Sequence, residues 1–240
     1  MILLVFFAVA AILILTIPKE SGEVQRLAVI ATSEENAQTK QKSPAANEYP
    51  FRPASAGAPA LLEGGTVSFF HDRKHLRVLV EITDSDLVQE SEADNQHHYR
   101  SGDVLEIFIR PAGFRCYWEI YVTPNEKITV FFYPSPGRRL PSCLQSKPLD
   151  GLSFEVELHG SLNDYQDRDK GWKCDVVIPF NSLEKQCGQK FDFSKPWEIQ
   201  ISRYNHSVYL DKKEYSQLGI ARGNLDFHDF SSWALLTFDK

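Results

Sequence analysis

The chain has 240 residues, of which 42% are hydrophobic and 24% charged, so it is long enough for one folded domain with extensions. Its formal net charge is -6, and the sequence shows no basic stripe that would bind a phosphate backbone. Both observations argue against a nucleic-acid-binding protein. Aromatic residues are plentiful, at 16 Phe, 9 Tyr and 4 Trp, whereas Met occurs once. Any apolar binding surface of the folded protein is therefore expected to consist of rigid aromatic rings rather than flexible Met side chains.

The chain starts with an apolar stretch from Ile2 to Ile17, and we interpret residues 1–17 as a signal peptide or a membrane anchor. No Lys or Arg precedes the stretch and no Ala-x-Ala follows it, so a cleaved signal and an uncleaved anchor both stay open. As a helix, the stretch would rise about 24 Å, slightly less than the hydrocarbon core of a bilayer. Either way, we expect the protein to be secreted, periplasmic or membrane-anchored outside the cytoplasm.

Residues 18–60 are poor in large apolar side chains and rich in Ala, Ser, Glu, Gln, Lys and Pro. Such a composition cannot bury enough surface to fold alone, which predicts a flexible linker. We assign the short apolar patch LAVIA at 27–31 to this linker, with an additional edge strand as the alternative.

Four cysteines, at positions 116, 143, 174 and 187, lack C-x-x-C spacing, so a zinc ribbon or a thioredoxin-type motif has no support. In an exported protein they allow up to two disulfides in three alternative pairings. Free and mostly buried thiols are the alternative.

Alternation of apolar and polar residues predicts a series of short strands within residues 61–240. They include HLRVLVEI, VLEIFIR, CYWEIYV, KITVFFY, FEVELHG, WKCDVVIPF, WEIQISRYN and WALLTF, with one or two helical turns at NSLEKQCG. This many short strands in about 180 residues predict an all-β fold, namely an antiparallel β-sandwich of jelly-roll type.

Three of these strands place rings and acids on the face opposite their apolar face. The set consists of Glu106, Phe108, Tyr117, Glu119, Tyr121, Phe131 and Tyr133. A sugar stacks its C–H face on an aromatic ring, and a carboxylate binds sugar hydroxyls more strongly than a neutral acceptor does. The alternative is that the rings line the inside of the second sheet, with the glutamates in water at the strand ends.

Several motifs occur in an order that resembles the family 9 carbohydrate-binding modules and their DOMON-like relatives. They are FFHDRKHLRVLVEITDSDL, GDVLEIFIRP, YWEIYVTPN, GWKCDVVIPFNSL and EYSQLG with DFHDFSSWALLTF, and together they cover residues 66–238. The resemblance implies a jelly-roll-like β-sandwich over residues 61–240. It also implies a non-catalytic module that binds an oligo- or polysaccharide, in polysaccharide catabolism.

By this resemblance, Glu106 contacts the sugar. Arg100 stands where the family has a stacking Trp, with Tyr99 beside it, and the second Trp is matched by Tyr215 or Leu218. Tyr121 stands where the family has an arginine. The predicted ligand-binding residues are Glu106, Tyr99, Arg100, Tyr117, Glu119, Tyr121, Arg203, Asn205 and Tyr215.

Two predicted sites rest on short loop motifs. Asp84 and Asp86 lie where the related modules hold a structural calcium, and two carboxylates at i and i+2 can converge on a hard cation. A solvated turn is the alternative. In SRYN, Arg203 starts from core register, so it either reaches a ligand or pairs with an acid beneath the loop.

Three other functions stay open. Glu106 and Glu119 have the residue types of a glycosidase pair, although no nucleophile or metal motif accompanies them and we expect no enzyme. A haem-binding sandwich would need two axial histidines from His71, His75, His97, His98 and His228; we interpret His228 as a structural residue. The third is a structural or protein-binding sandwich.

Overall fold

The computed structural model describes residues 24–31, 47–136 and 149–239. The apolar start of the chain and Cys143 lie outside the described residues. The strands are β1 Arg26–Ala31, β2 Tyr49–Pro50, β3 Arg52–Pro53, β4 Gly65–His71, β5 His75–Ile82, β6 Val104–Arg110, β7 Tyr117–Val122, β8 Ile128–Tyr133, β9 Ser153–His159, β10 Gly171–Pro179, β11 Trp197–Asn205, β12 Glu214–Gln217 and β13 Ala234–Phe238. One helix, α1, spans Phe180–Cys187.

The strands form two layers, which confirms the predicted all-β sandwich. Sheet A has the order β8-β7-β6-β11-β13-β1, and β12 and β3 extend it beside β11. Sheet B has the order β1-β4-β5-β10-β9, with β2 beside β4. Apart from β1, the strand pairs are antiparallel.

The prediction that residues 27–31 belong to a flexible linker is wrong, because they form most of β1. This strand pairs in parallel with β13, from Arg26 beside Leu235 to Val29 beside Phe238, and then with the end of β4. Leu27 and Val29 are buried in the core, which offsets the entropy of ordering the segment. The sandwich is therefore mixed rather than purely antiparallel, and β1 closes one side by passing from sheet A to sheet B.

The main core lies between the sheets and follows the predicted alternation. Sheet B contributes the inward residues of β5 and β10, and sheet A those of β6, β7, β8 and β11. The largest side chains in this core are Trp118, Trp172 and Trp197, all completely buried. At 0% exposure, each ring contributes several kcal/mol of hydrophobic stabilisation, roughly 2 to 4.

Helix α1 confirms the predicted helical turns, and it ends at Gly188, whose φ of 76° is the left-handed conformation that glycine adopts without a Cβ clash. A disulfide joins Cys187 at the end of α1 to Cys116 just before β7. The Trp118 Nε1 group donates to Gln186 Oε1 over 2.8 Å at the same contact. Cys174 is a free thiol buried in the core. Within the described residues, no helix is long and apolar enough to cross a membrane.

Candidate functional site

The outer face of sheet A carries the predicted rings and acids together. Glu106 on β6 lies opposite Tyr121 on β7, and Phe108 lies opposite Glu119. Both Tyr121 and Glu119 lie in turn beside residues of β8, whose Phe131 is paired with Glu119. The alternation read from the sequence therefore assigns these side chains to the correct face.

This outer face is covered rather than open. Rings from the strands, including Tyr215 on β12, pack with rings from two covering segments, namely the turn His98–Arg100 and the loop between β12 and β13. The resulting second cluster contains Ala54, Val104, Phe108, Tyr117, Tyr121, Phe131, Tyr133, Phe227 and Trp233, with Tyr99, Tyr204, Tyr215 and Phe230 partly buried around it. The face is thus a second, smaller apolar core.

The two glutamates lie inside this second core, each only 2% exposed, so the alternative that placed them in water at the strand ends is wrong. The Tyr133 hydroxyl donates to Glu119, and His228 Nε2 lies 3.9 Å from the other oxygen of Glu119. Burial, together with repulsion from Glu119, raises the pKa of Glu106 well above its usual value, and contact with the Tyr121 hydroxyl opposes this shift in part. Glu106 is therefore biased toward its neutral, protonated form.

Half-buried tyrosines form an accessible rim on part of the face. The ring of Tyr99 stacks on that of Tyr204 at 5.1 Å between centroids, and Tyr215 meets Tyr204 edge-on at 5.2 Å. Arg100 is exposed, with its guanidinium 5.7 Å from the centre of the Tyr99 ring. We call Tyr99, Tyr204 and Tyr215 the tyrosine rim.

Sequence reasoning missed Tyr204, although the signal was present. Trp197, Ile199 and Ile201 alternate toward the main core, so Tyr204 falls on the opposite face of β11, in line with Ser202 and therefore with Glu106. The two predicted residues Tyr117 and Tyr121 lie deeper, at 1% and 4% exposure. They belong to the floor of the face, not to its rim.

Arg203 and Asn205 lie on the other side of sheet A, away from the predicted ligand face. The Arg203 guanidinium is completely buried, donates to Asp84 Oδ2 over 2.7 Å and donates to the backbone carbonyls of Glu63 and Thr83. Asn205 donates to the Glu63 carboxylate over 2.7 Å. Of the two alternatives for Arg203, the pairing with a buried acid is the one that the structure has.

The predicted calcium ligands belong to the same network. Asp84 accepts from Arg203 and from the amide of Asp86, while Asp86 accepts from the amide of Val208 and keeps one oxygen buried without a hydrogen-bond partner. Burial raises the pKa of Asp84 despite the neighbouring Arg203. Calcium takes six to eight oxygens, and nowhere in the described ranges do three or more His, Cys, Asp or Glu side chains form a group suited to a metal. With Asp84 engaged by Arg203, a calcium ion at Asp84 and Asp86 stays a prediction.

His98 fastens the covering turn to the sheet. Its Nδ1 is 2.8 Å from Ser91 Oγ, and its Nε2 is 2.9 Å from Thr129 Oγ1 on β8. Burial lowers the pKa of His98 to about 4. Since both ring nitrogens are engaged, this histidine is not free to act as an axial haem ligand. His228 instead contacts Tyr117, its Nδ1 lying 3.1 Å from the hydroxyl, in the structural role predicted for it.

Solved structures with the same fold include carbohydrate-binding proteins. A protein from Bacteroides uniformis ATCC 8492, provisionally described as carbohydrate-binding, matches with a TM-score of 0.62 at 13% identity, over 90% of this chain and 100% of its own. A family 9 carbohydrate-binding module from Caldicellulosiruptor kristjanssonii was solved with glucose (TM-score 0.55, 11% identity, 90% of this chain and 96% of its own). The same kind of module was solved with cellotriose (TM-score 0.54, 12% identity, 90% and 94%).

Sequence comparison adds nothing to this result, since no protein-family model matches and no curated protein is significantly similar. At identities this low, the likeness concerns the path of the backbone. It agrees with the motif order noted in the sequence, which covers residues 66–238. The chain has the fold of the family 9 carbohydrate-binding modules.

Proposed function

We propose that this protein is an exported, non-catalytic module that binds a glycan at the tyrosine rim of sheet A. The observation that carries the proposal is the group of three half-buried tyrosines, Tyr99, Tyr204 and Tyr215, beside the exposed Arg100. The modules from Caldicellulosiruptor kristjanssonii, which share the fold, were solved with glucose and cellotriose. We extend that chemistry to this chain.

The rim suits the surface of a sugar. A pyranose presents apolar C–H groups to a flat ring, and a tyrosine at the edge of an apolar cluster offers both a ring and a hydroxyl. Arg100 adds several hydrogen-bond donors for the ring hydroxyls. Because Tyr99 is stacked on Tyr204, little side-chain entropy remains to be lost on binding.

In this proposal the two glutamates act from beneath the rim. With 2% of each side chain exposed, neither reaches a ligand while the covering rings are in place. Glu119 accepts a hydrogen bond from the Tyr133 hydroxyl, and Glu106 contacts the hydroxyl of Tyr121. The acids thus hold rings of the floor, and Tyr99 of the rim packs edge-on against Tyr121. The contact between Glu106 and sugar that the resemblance implies becomes an indirect one.

The burial of Glu106 and Glu119 also favours binding over hydrolysis. A glycosidase requires two carboxyl groups that flank the scissile bond, one donating a proton and the other attacking or activating water. Both acids here lie under aromatic rings, with no room for a glycosidic bond between them and solvent. We therefore propose no reaction at this site, and a catalytic partner would have to supply any degradation of the glycan.

Export is supported by the disulfide between Cys116 and Cys187, because disulfides form and persist in oxidising compartments. The apolar stretch from Ile2 to Ile17 is the segment that would direct it. Together they favour a module that acts outside the cytoplasm.

The test is calorimetric titration of the protein with cello-, xylo- and manno-oligosaccharides, first with calcium and then with a chelator. Replacement of one rim tyrosine, Tyr99→Ala or Tyr204→Ala, is expected to weaken binding roughly tenfold, about the value of one ring contact. Tyr165→Ala, an exposed tyrosine away from the rim, is the control and is expected to leave affinity unchanged. Absence of heat with every glycan, from protein with a native circular dichroism spectrum, would sink the proposal in favour of a structural or protein-binding sandwich.

A further inference from the structure

The exposed apolar side chains of the described residues are concentrated at one end of the sandwich. Five large ones are exposed, namely Leu62 at 78%, Tyr165 at 65%, Val208 at 63%, Val24 at 40% and Leu225 at 37%. Single exposed apolar residues are ordinary on a protein surface, but several at one end indicate a contact surface.

Strand pairing shows that four of the five share that end. Val24 precedes β1 and Leu62 precedes β4, and these two strands run parallel. Tyr165 lies in the loop before β10. The start of β10 and the start of β4 both pair with the end of β5, since Trp172 and Gly65 each lie beside Ile82. Val208 follows β11, which is antiparallel to β13 and therefore to β1. The end of β11 thus lies at the same end of the sandwich as the start of β1.

The loops that carry these side chains are tied to one another. The amide of Leu62 donates to Glu214 Oε1 over 2.7 Å, and that of Val208 donates to Asp86 Oδ2 over 2.7 Å. The Tyr209 hydroxyl donates to the carbonyl of Tyr165 over 3.1 Å, so the loops of Tyr165 and Val208 are joined. We call Leu62, Tyr165 and Val208 the apolar tip.

The chain also leaves the domain at this end. Only eight residues, 18–25, separate Ile17 at the end of the apolar stretch from Arg26 at the start of β1. Fully extended, this connection reaches about 30 Å, less than the roughly 40 Å diameter of a domain of this size. A bilayer that held residues 2–17 would therefore lie next to the end of the sandwich that carries the apolar tip.

We infer that the N-terminal stretch is kept as an uncleaved anchor in a lipid bilayer and that the apolar tip docks on the surface of that bilayer. Leu and Val side chains insert among acyl chains, and a tyrosine is suited to the interface because its ring is apolar and its hydroxyl polar. The loops of Tyr165 and Val208 contribute four acidic residues, Asp164, Asp167, Asp169 and Asp211, and four basic ones, Arg168, Lys170, Lys212 and Lys213. The acidic Glu90, Glu92 and Asp94 lie in a further loop near this end, so docking does not depend on anionic lipid. This inference concerns a different surface from the tyrosine rim and does not depend on glycan binding.

The experiment uses the full chain in phosphatidylcholine vesicles that contain brominated lipid, a short-range quencher of tryptophan. The four native tryptophans are at most 3% exposed and provide a constant background. Tyr165→Trp adds a reporter at the tip, whereas Lys195→Trp adds an exposed reporter just before β11, at the opposite end.

We expect brominated lipid to quench the added emission of the Tyr165→Trp protein at least twofold and to leave that of the Lys195→Trp protein unchanged. Adding Leu62→Ser and Val208→Ser to the Tyr165→Trp protein should restore most of the emission. Equal quenching at both positions, no quenching at either, quenching that survives the two serines, or a full chain that stays free of the vesicles would each overturn the inference. Glycan titration of the same proteins reports separately on the tyrosine rim.

Discussion

The outer faces of the two sheets are built on the same alternation but lie in different surroundings. On sheet B, the outward residues of β5 and β10 are mostly half-exposed and include charged ones, as in the ion pair between Arg77 and Asp175. On sheet A, the outward residues of β6 and β7 are covered by a second apolar cluster that encloses Glu106 and Glu119. A charged side chain that stays in water loses little hydration on folding. A carboxylate buried under aromatic rings loses its hydration and destabilises the fold, unless hydrogen bonds from hydroxyl groups or its own protonation offset the loss.

The largest expected effect on stability comes from removing a ring from the covered outer face of sheet A. Phe108→Ala removes a completely buried ring and should lower the free energy of unfolding by about 3 to 5 kcal/mol. Leu79→Ala, on the half-exposed outer face of sheet B, is the matched control and should cost about 1 kcal/mol. Urea unfolding measures both, and equal costs would mean that the two faces are equally covered.

His98, which fastens the cover, should make stability depend on pH. The pKa of His98 is lowered to about 4 in the folded protein, against 6.5 in the unfolded chain, so its contribution is present above pH 6.5 and is lost as the pH falls toward 4. The loss amounts to about 3 kcal/mol at most. Urea unfolding of His98→Gln at pH 4.5 and pH 7 should show a smaller difference than the unmodified protein; an unchanged difference would contradict the role of His98.

Glu106 should act in the opposite sense. Because the pKa of Glu106 is raised in the folded state, its favourable protonation is complete below the pKa of an unfolded glutamate and is lost as the pH rises through the folded value. Glu106→Gln imitates the protonated acid and should stabilise the protein at pH 8 by roughly 1 to 3 kcal/mol, with little change at pH 4. Glu81→Gln, half-exposed on sheet B, is the control, and a similar gain there would show that burial is not the cause.

The smallest effect is expected from the open face. Arg77 and Asp175 form a close pair with 15% and 21% of their side chains exposed, and such pairs contribute about 1 kcal/mol or less. A double-mutant cycle with Arg77→Ala and Asp175→Ala measures the coupling, which added salt should weaken. A coupling energy of several kcal/mol would mean that the outer face of sheet B is as well shielded from water as the covered outer face of sheet A.

Alternation along each strand was enough to predict much of the fold. It placed Leu76, Val78, Val80 and Ile82 in the main core, and Glu106 with Tyr121 on the other face of sheet A. It failed at β1, whose few apolar residues lie in a polar context, because its partners β4 and β13 are distant along the chain. No local pattern shows that Leu27 and Val29 will be buried by strands so far away.

The site divides in the same way. The sequence by itself determined which residues share a face, since side chains on a strand alternate with a period of two and neighbouring strands keep that order. Only the tertiary structure decided that the face is covered, that Tyr99, Tyr204 and Tyr215 form an accessible rim, and that Arg203 pairs with Asp84 inside the domain. The reason is physical: burial and charge pairing depend on segments that meet only after folding, such as the turn at His98–Arg100 and the loop that carries Phe227.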